Sequence, residues 1–406
     1  MKVIVYEHVS GGGYAGQPIP PSILSEGFGM LRCLVEDFKA AGHEVTVLLD
    51  SRLSKLSPPI SADCIVPIMY PEEPKRFLKN IAKINDAIYI IAPETGHTLQ
   101  SIVELAEGTG KVSLNCESQA IERAADKAVF YETLQKQGVA PKTVVLNLDE
   151  DLAKVKLTIK KNLCYPIVLK PVDGVGCSGL SLVNEETQLA VAIAKISTES
   201  TNRRFIAQEF IRGQAASVSL LSTGKKALAL SLNKQNIVFA SPNGASSYEG
   251  GTVPFDHWLK QEAFSISQKI VEALPGLRGY VGVDFVLTEH KVFVVDINPR
   301  LTTSYVGLRI VNEFNIAQAL LDAVLKGILP SKSEIEGFAC FSKVETSAPS
   351  MGVYQKATKL SSVVSPPFPL NDYPQATSLI LGKGDSLKDA YLHLEEAKKH
   401  LLNIIP

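Results

Sequence analysis

Residues 278–300 read RGYVGVDFVLTEHKVFVVDINPR. Two runs rich in β-branched and aromatic residues, 280–287 and 292–298, flank the polar tetrapeptide Thr288-Glu289-His290-Lys291, a pattern that predicts a β-hairpin. Side chains two apart on a strand share a sheet face, so Asp296 and Asn298 point together, and antiparallel pairing in the right register adds Asp284 to that face. Two carboxylates and an amide are oxygen donors that suit Mg²⁺ (or Mn²⁺) carrying substrate phosphates. Arg300 follows, a cation where phosphate charge needs an offset. A strand-end aspartate is commonly a solvated edge or a turn former. Asp296, however, interrupts an apolar run, and an ionised carboxylate beside a core needs a partner.

Working outward, Tyr165-Pro166-Ile167-Val168-Leu169-Lys170-Pro171 reads as a buried strand ending in a lysine, which is costly to bury without an anion. Val172-Asp173-Gly174-Val175-Gly176-Cys177-Ser178-Gly179-Leu180 follows, a loop whose glycines let backbone N–H groups turn towards phosphate oxygens. It lies between two strands and lacks G-K-[ST] with a following helix, so it is a lid and not a Walker loop. Residues 241–255 read as a long glycine-bearing loop holding Tyr248 and Gly250, a candidate substrate contact.

These residues carry a resemblance. D-x-N-P-R after a strand, with an aspartate in the paired strand upstream, resembles the metal-binding hairpin of the ATP-grasp superfamily, and P-x-V-x-K-P plus a glycine loop is a second match. The resemblance implies that Lys127 (of Asp126-Lys127) and Lys170 hold the phosphates of ATP, under a lid containing Gly174, Gly176, Ser178 and Gly179. It implies an adenine-reading hinge at Gln208, Glu209, Phe210 and Ile211, and Asp284, Asp296 and Asn298 as metal ligands. Arg300 and Lys170 would steady the transferring phosphoryl group. Two departures stand out: the family more often carries glutamate at 296, and a ribose-holding acid shortly after the hinge is missing from Gln214-Ala215-Ala216-Ser217. Gln214, Ser217 or another residue would take the ribose.

The implied fold is α/β. An N-terminal parallel-sheet pre-ATP-grasp domain (1–117) precedes a two-lobed α+β ATP-grasp fold (118–330, divided near 205 into a lid lobe and a nucleotide and metal lobe). An appended α+β segment, 331–406, closes the chain. The β/α alternation of the first residues independently argues a parallel sheet covered on both faces. Gly11-Gly12-Gly13 lacks the G-x-G-x-x-G spacing, which excludes a Rossmann dinucleotide loop. Ligands still bind at the carboxyl ends of such strands, where Glu7, Gly12, Gly13, Glu26 and Glu94 fall. With Thr302 and Thr303 after Arg300, Glu7, Gly12, Gly13 and Glu94 are the remaining substrate candidates.

Most ATP-grasp enzymes join a carboxylate to an amine through an acyl phosphate. The segments HVSGGGYA, PSILSEGFGML and DINPRLTT resemble the archaeal-type carboligases of this superfamily. Among these are enzymes that join the γ-carboxylate of glutamate to tyramine in methanofuran biosynthesis. Ligation of another carboxylate and amine, or a non-catalytic ATP-binding regulatory module, are the alternatives.

Composition bounds these readings. The chain has 406 residues, 45% hydrophobic and 20% charged, with a net charge of −1, which suits two to three globular domains and gives no footing for nucleic acid or an anionic membrane. The six cysteines are scattered without a C-x-x-C pair, which predicts reduced thiols in a cytoplasmic protein. No apolar run approaches the roughly 20 residues of a membrane span. Small-molecule carboxylate and amine substrates are the expected partners, and a homo-oligomer is compatible with the sequence.

Overall fold

The parallel sheet forms from β1 (Lys2–Glu7), β2 (Glu44–Asp50), β3 (Cys64–Ile68), β4 (Ala87–Ile91) and β5 (Val112–Ser113), in the order β3-β2-β1-β4-β5. The structure, a computed structural model, describes residues 1–136, 138–174, 176–200 and 202–405. Gln137, at the end of the expected helical stretch 118–137, and Val175 of the lid lie outside the described residues. Both faces are covered at β1, β2 and β4, whose residues are almost all buried, while the edge strand β3 is largely exposed. Val3 and Val5 pack with Phe28 and Leu31 of the helix Pro21–Ala40, while Ile4 and Tyr6 pack with Leu78 and Leu99 of the helices Glu73–Ala82 and Thr98–Glu107. The helix Pro21–Ala40 starts with a proline in its first turn and ends before Gly42, at φ 79°, as a C′ glycine should.

The glycine-rich stretch after β1 is a π-helical turn, Val9–Gly13. The Glu7 carboxylate draws it closed by accepting the Val9 N–H at 3.0 Å and the Ser10 N–H at 2.7 Å. Gly12 sits at φ 95°, and a Cβ there would lie 2.3 Å from the Ile68 side chain.

Next, β6 (Thr143–Asn147), β7 (Ile167–Pro171), β8 (Ser181–Val183) and β9 (Arg204–Glu209) make an antiparallel sheet ordered β6-β9-β7-β8. Its core is closed by Val155 and Ile159 of the helix Leu152–Asn162 and by Leu189, Ala192 and Ile196 of the helix Leu189–Glu199. The lid is the connection from β7 to β8.

The largest sheet is antiparallel. It contains β10 (Gln214–Thr223), β11 (Ala227–Val238), β12 (Ser247–Val253), β13 (Arg278–Leu287), β14 (Val292–Asn298), β15 (Phe338–Ser347), β16 (Val363–Ser365) and β17 (Gln375–Gly384), in the order β14-β13-β10-β11-β12-β15-β17-β16. The expected hairpin is β13–β14, and its register sets Asp284 directly opposite Asp296 and Gly282 opposite Asn298. Alternation divides this end of the sheet. Ala216, Val218, Leu232, Val283 and Phe285 enter the apolar core, and Ser217, which pairs with Asp284 and with Asn233, marks the polar face. The long loop expected at 241–255 is corrected over half its length, because Ser247–Val253 is a strand paired on both sides. Glycine makes that approach feasible: a Cβ on Gly250, at φ 131°, would lie 2.1 Å from the Phe341 carbonyl oxygen. Through β12–β15 pairing, strands of the 331–406 segment continue the sheet that carries the metal-type hairpin.

Candidate active site

The polar face of β13–β14 gathers the central cluster. Asp284 accepts a hydrogen bond from Asn298 Nδ2 at 3.0 Å and another from Gln235 Nε2 at 3.1 Å. Asp296 pairs with Lys127 Nζ at 3.0 Å, and the same ammonium donates to the Gly174 carbonyl at 3.2 Å. Lys127 lies at the start of the helix Lys127–Lys136 and is only 4% exposed, so the sequence pair Asp126-Lys127 spans two sites. Asp126 turns instead to Arg204, at 2.6 Å.

Lys170 ends β7 and reaches across to the hairpin. Its Nζ donates to Tyr131 Oη at 3.0 Å and to the Val295 carbonyl at 3.2 Å, and Tyr131 also donates to that carbonyl. Both partners of the ammonium are neutral, and burial lowers its pKa against the pull of Asp296 and Asp284. On the acid side, burial and then the facing Asp296 push Asp284 up to about 6. The cluster therefore contains opposed carboxylates short of positive charge and a lysine short of an anion. Asn233 Oδ1, on the same face, is buried with no hydrogen-bond partner among the described residues. A divalent cation bound through Asp284, Asp296 and Asn298, with phosphate oxygens towards Lys170 and Lys127, fits this donor set. Among the described residues there is no cluster of three or more His, Cys, Asp and Glu side chains, so a cation here would draw on the amide and on substrate oxygens.

The lid stands over this cluster. Gly176 and Cys177 both have left-handed backbone, at φ 58° and 69°, as does Gly179 at 68°. Glu199 anchors its far end, accepting from the Gly179 N–H at 2.6 Å and from Ser178 Oγ at 3.1 Å. Asp173, at its near end, accepts from the Gly96 N–H at 3.1 Å and so ties the lid to the parallel-sheet domain. Removing the anchor with Glu199→Ala is expected to weaken binding of a non-hydrolysable ATP analogue about 3–10-fold with little change in melting temperature, as calorimetry would show.

Arg300 and Glu94, from different domains, meet. Arg300 Nε lies 3.0 and 3.1 Å from the two Glu94 oxygens, and Nη2 lies 3.1 Å from Oε2. In the hinge, Gln208 donates to Thr143 Oγ1 at 2.8 Å, the Glu209 N–H donates to the Lys142 carbonyl at 2.8 Å, and Phe210 stacks edge-on with Phe239 at 5.7 Å. Ile211 is partly buried beside it.

A second polar group forms near Arg300. Thr303 Oγ1 donates to Glu26 at 2.8 Å, Lys343 Nζ pairs with Glu26 at 3.0 Å, and the same lysine lies 5.9 Å over the Tyr248 ring. Thr302 packs on Gly282, where a Cβ would come within 2.6 Å of its methyl. Gly250 serves as backbone of β12 beneath this group. Glu7 does not join it: burial raises its pKa, and both carboxylate oxygens serve its own turn. Gly12 and Gly13 pack on Ile68 and on the His8 ring. Sequence reasoning missed Tyr131, Gln235 and Lys343. Each is an ordinary polar residue of a helix or strand, and only the register and the domain packing bring it to the site.

Comparison with known proteins agrees with this architecture. Residues 124–304 match the ATP-grasp domain family and residues 43–121 the pre ATP-grasp 3 domain family. A tyramine–L-glutamate ligase of Methanocaldococcus fervens is 29% identical over 321 residues, 79% of this chain and 92% of that protein. Among solved structures, the biotin carboxylase domain of Hydrogenobacter thermophilus 2-oxoglutarate carboxylase, in complex with MgADP, ADP and bicarbonate, superposes with a TM-score of 0.71 at 14% identity, covering 98% of this chain and 89% of that one. Carboxyaminoimidazole ribonucleotide synthase of Aspergillus clavatus, complexed with ATP, gives 0.68 at 20% identity, covering 99% and 98%. Among the described residues no helix is long and apolar enough to cross a membrane. With a parallel pre-ATP-grasp sheet, a lid between antiparallel strands and a hairpin of opposed aspartates, the chain belongs to the ATP-grasp superfamily.

Proposed function

We propose that this protein is an ATP-dependent carboxylate–amine ligase that joins the γ-carboxylate of L-glutamate to the amine of tyramine, giving γ-glutamyltyramine for methanofuran biosynthesis. The observation that carries the ligase reading is the facing of Asp284 and Asp296 across β13–β14 with Lys127 and Lys170 beside them. The substrate pair rests on the likeness to the Methanocaldococcus ligase. In this reading residues 1–117 supply the substrate side through Glu94, residues 118–330 hold nucleotide and metal, and residues 331–406 wall the cleft.

A carboxylate oxygen of the substrate bonds to the γ-phosphorus as ADP leaves. The amine then displaces phosphate from the acyl carbon, losing a proton as the amide forms. Phosphoryl transfer needs positioning and charge neutralisation more than covalent help. Lys127 and Lys170 hold phosphate oxygens, and the lid carrying Gly174, Gly176, Ser178 and Gly179, anchored through the Gly179 N–H on Glu199, covers them and excludes water. Gln208, Glu209, Phe210 and Ile211 hold the adenine. Arg300, kept in place by Glu94, faces the transferring group. Asp284, Asp296 and Asn298 would hold Mg²⁺ or Mn²⁺, which when bound would neutralise phosphate charge.

The test is phosphate release from Mg-ATP with carboxylates scanned against amines. Release that needs both L-glutamate and tyramine, with a γ-linked amide by mass spectrometry, is the expected outcome. Release with a different pair discards the substrates and keeps the ligase. ATP binding without release for any pair overturns the enzyme reading.

A further inference from the structure

We propose that Glu26 and Lys343 form the subsite for the α-ammonium and α-carboxylate of an amino-acid substrate, and so decide which of its carboxylates is activated. This deepens the ligase reading and rests on it. The two side chains come from distant parts of the chain, the helix Pro21–Ala40 and β15, and meet with 20% and 10% of their surfaces exposed. An ion pair this enclosed adds little to stability, because desolvation offsets its attraction. It is suited to exchange partners. A zwitterion can give its ammonium to Glu26 and its carboxylate to Lys343 with no change of net charge, whereas a simple carboxylate would leave Glu26 with the Thr303 hydroxyl and no counter-charge in an enclosed place.

The pair also stands at the right door. Thr303 donates to Glu26, and the residue before it, Thr302, packs on Gly282, the cross-strand partner of Asn298. The subsite and the opposed aspartates are thus joined by one short segment. Lys343 of the pair also lies 5.9 Å over the Tyr248 ring. A glutamate held by its α-carbon groups at Glu26 and Lys343 would extend its side-chain carboxylate towards the hairpin, which makes the γ-amide the product.

The experiment compares analogues that each lack one of the groups. Glutarate lacks the ammonium, and 4-aminobutyrate lacks the α-carboxylate. Glu26→Gln is expected to raise KM for L-glutamate roughly 10–100-fold, with KM for ATP unchanged and KM for glutarate unmoved. Lys343→Met does the same for L-glutamate and spares 4-aminobutyrate. The double variant Glu26→Lys/Lys343→Glu keeps an ion pair and the melting temperature but does not restore L-glutamate use, because its charges are reversed. Wild-type use of glutarate as readily as L-glutamate overturns the subsite while leaving the ligase intact. So does restoration by the reversed pair, or an equal effect of Glu26→Gln on both acids. If wild type ligates another amino acid, the glutamate assignment falls, and the same comparison is run with that acid and its two truncated analogues. Calorimetry against the common amino acids, with Mg²⁺ and a non-hydrolysable ATP analogue, covers the remaining case: no binding of any of them overturns the subsite.

Discussion

Asp284→Asn is expected to abolish ligation and to stabilise the metal-free protein. The activity loss, roughly 10²–10³-fold in kcat, is expected from removing one of the two carboxylates that in the proposed function would hold a cation beside the transferring phosphate. The stability gain follows from the register. Asp284 and Asp296 are direct cross-strand partners, and like charges directly opposite one another on a sheet are destabilising. Burial and the facing Asp296 raise Asp284 to about 6. Its unfolded-state value is about 4. Between these values the folded protein holds more protons than the unfolded one, so stability falls as pH rises through about 4 to 6 and stays low above it. Asparagine at 284 removes that slope and recovers about 1–3 kcal/mol at neutral pH. Its amide can still meet Gln235 and Asn298, whose own amides rotate to suit. Thermal melts of wild type and variant at pH 4.5 and 7.5, without divalent metal, check this: the variant melts higher at 7.5 and the gap narrows at 4.5. Equal melting at both values, or retained ligation, removes Asp284 from the metal role.

The hairpin was legible because its signals are local. Period-two alternation, a polar tetrapeptide and two polar residues at i and i+2 are enough to predict two strands and a shared face, and β13–β14 has that form. The parallel sheet was legible for the same reason, since β1 to β4 are mostly apolar runs between turn signals. What failed was local in appearance and tertiary in cause. Residues 247–253 carry glycines, which read as loop, yet those glycines are what lets β12 approach β15. The glycine-rich stretch after β1 is closed into a π-turn by the Glu7 carboxylate, which no local pattern announces. Lys343 could not be found from its surroundings, because Phe341-Ser342-Lys343-Val344 is an unremarkable strand sequence. Its partner Glu26 lies 317 residues away, and only the packing of the C-terminal strands on the N-terminal helix brings them together.

The two site lysines look interchangeable in sequence, and the structure separates them by what each leaves behind. Lys170→Met is expected to lower kcat/KM for ATP roughly 10²–10⁴-fold, because the part-buried ammonium proposed to meet the phosphates is lost. It should leave the melting temperature unchanged or higher. Its hydrogen-bond partners are neutral, the Val295 carbonyl keeps its bond from Tyr131, and methionine fills the same stem volume. Lys127→Met removes the partner of Asp296 instead, leaving an unpaired carboxylate opposite Asp284, and should melt several degrees lower without metal. Added Mg²⁺ would then recover much of the difference, since the cation replaces the missing positive charge. Tyr131→Phe is the control. It leaves Lys170 on Val295 and should cost no more than about tenfold in activity. Melting curves with and without Mg²⁺, beside phosphate release, read all three variants. If Lys170→Met retains wild-type turnover, Lys170 does not hold phosphate. If Lys127→Met is as stable as Lys170→Met without metal, the opposed aspartates are not short of positive charge, and the argument for a cation between them fails with it.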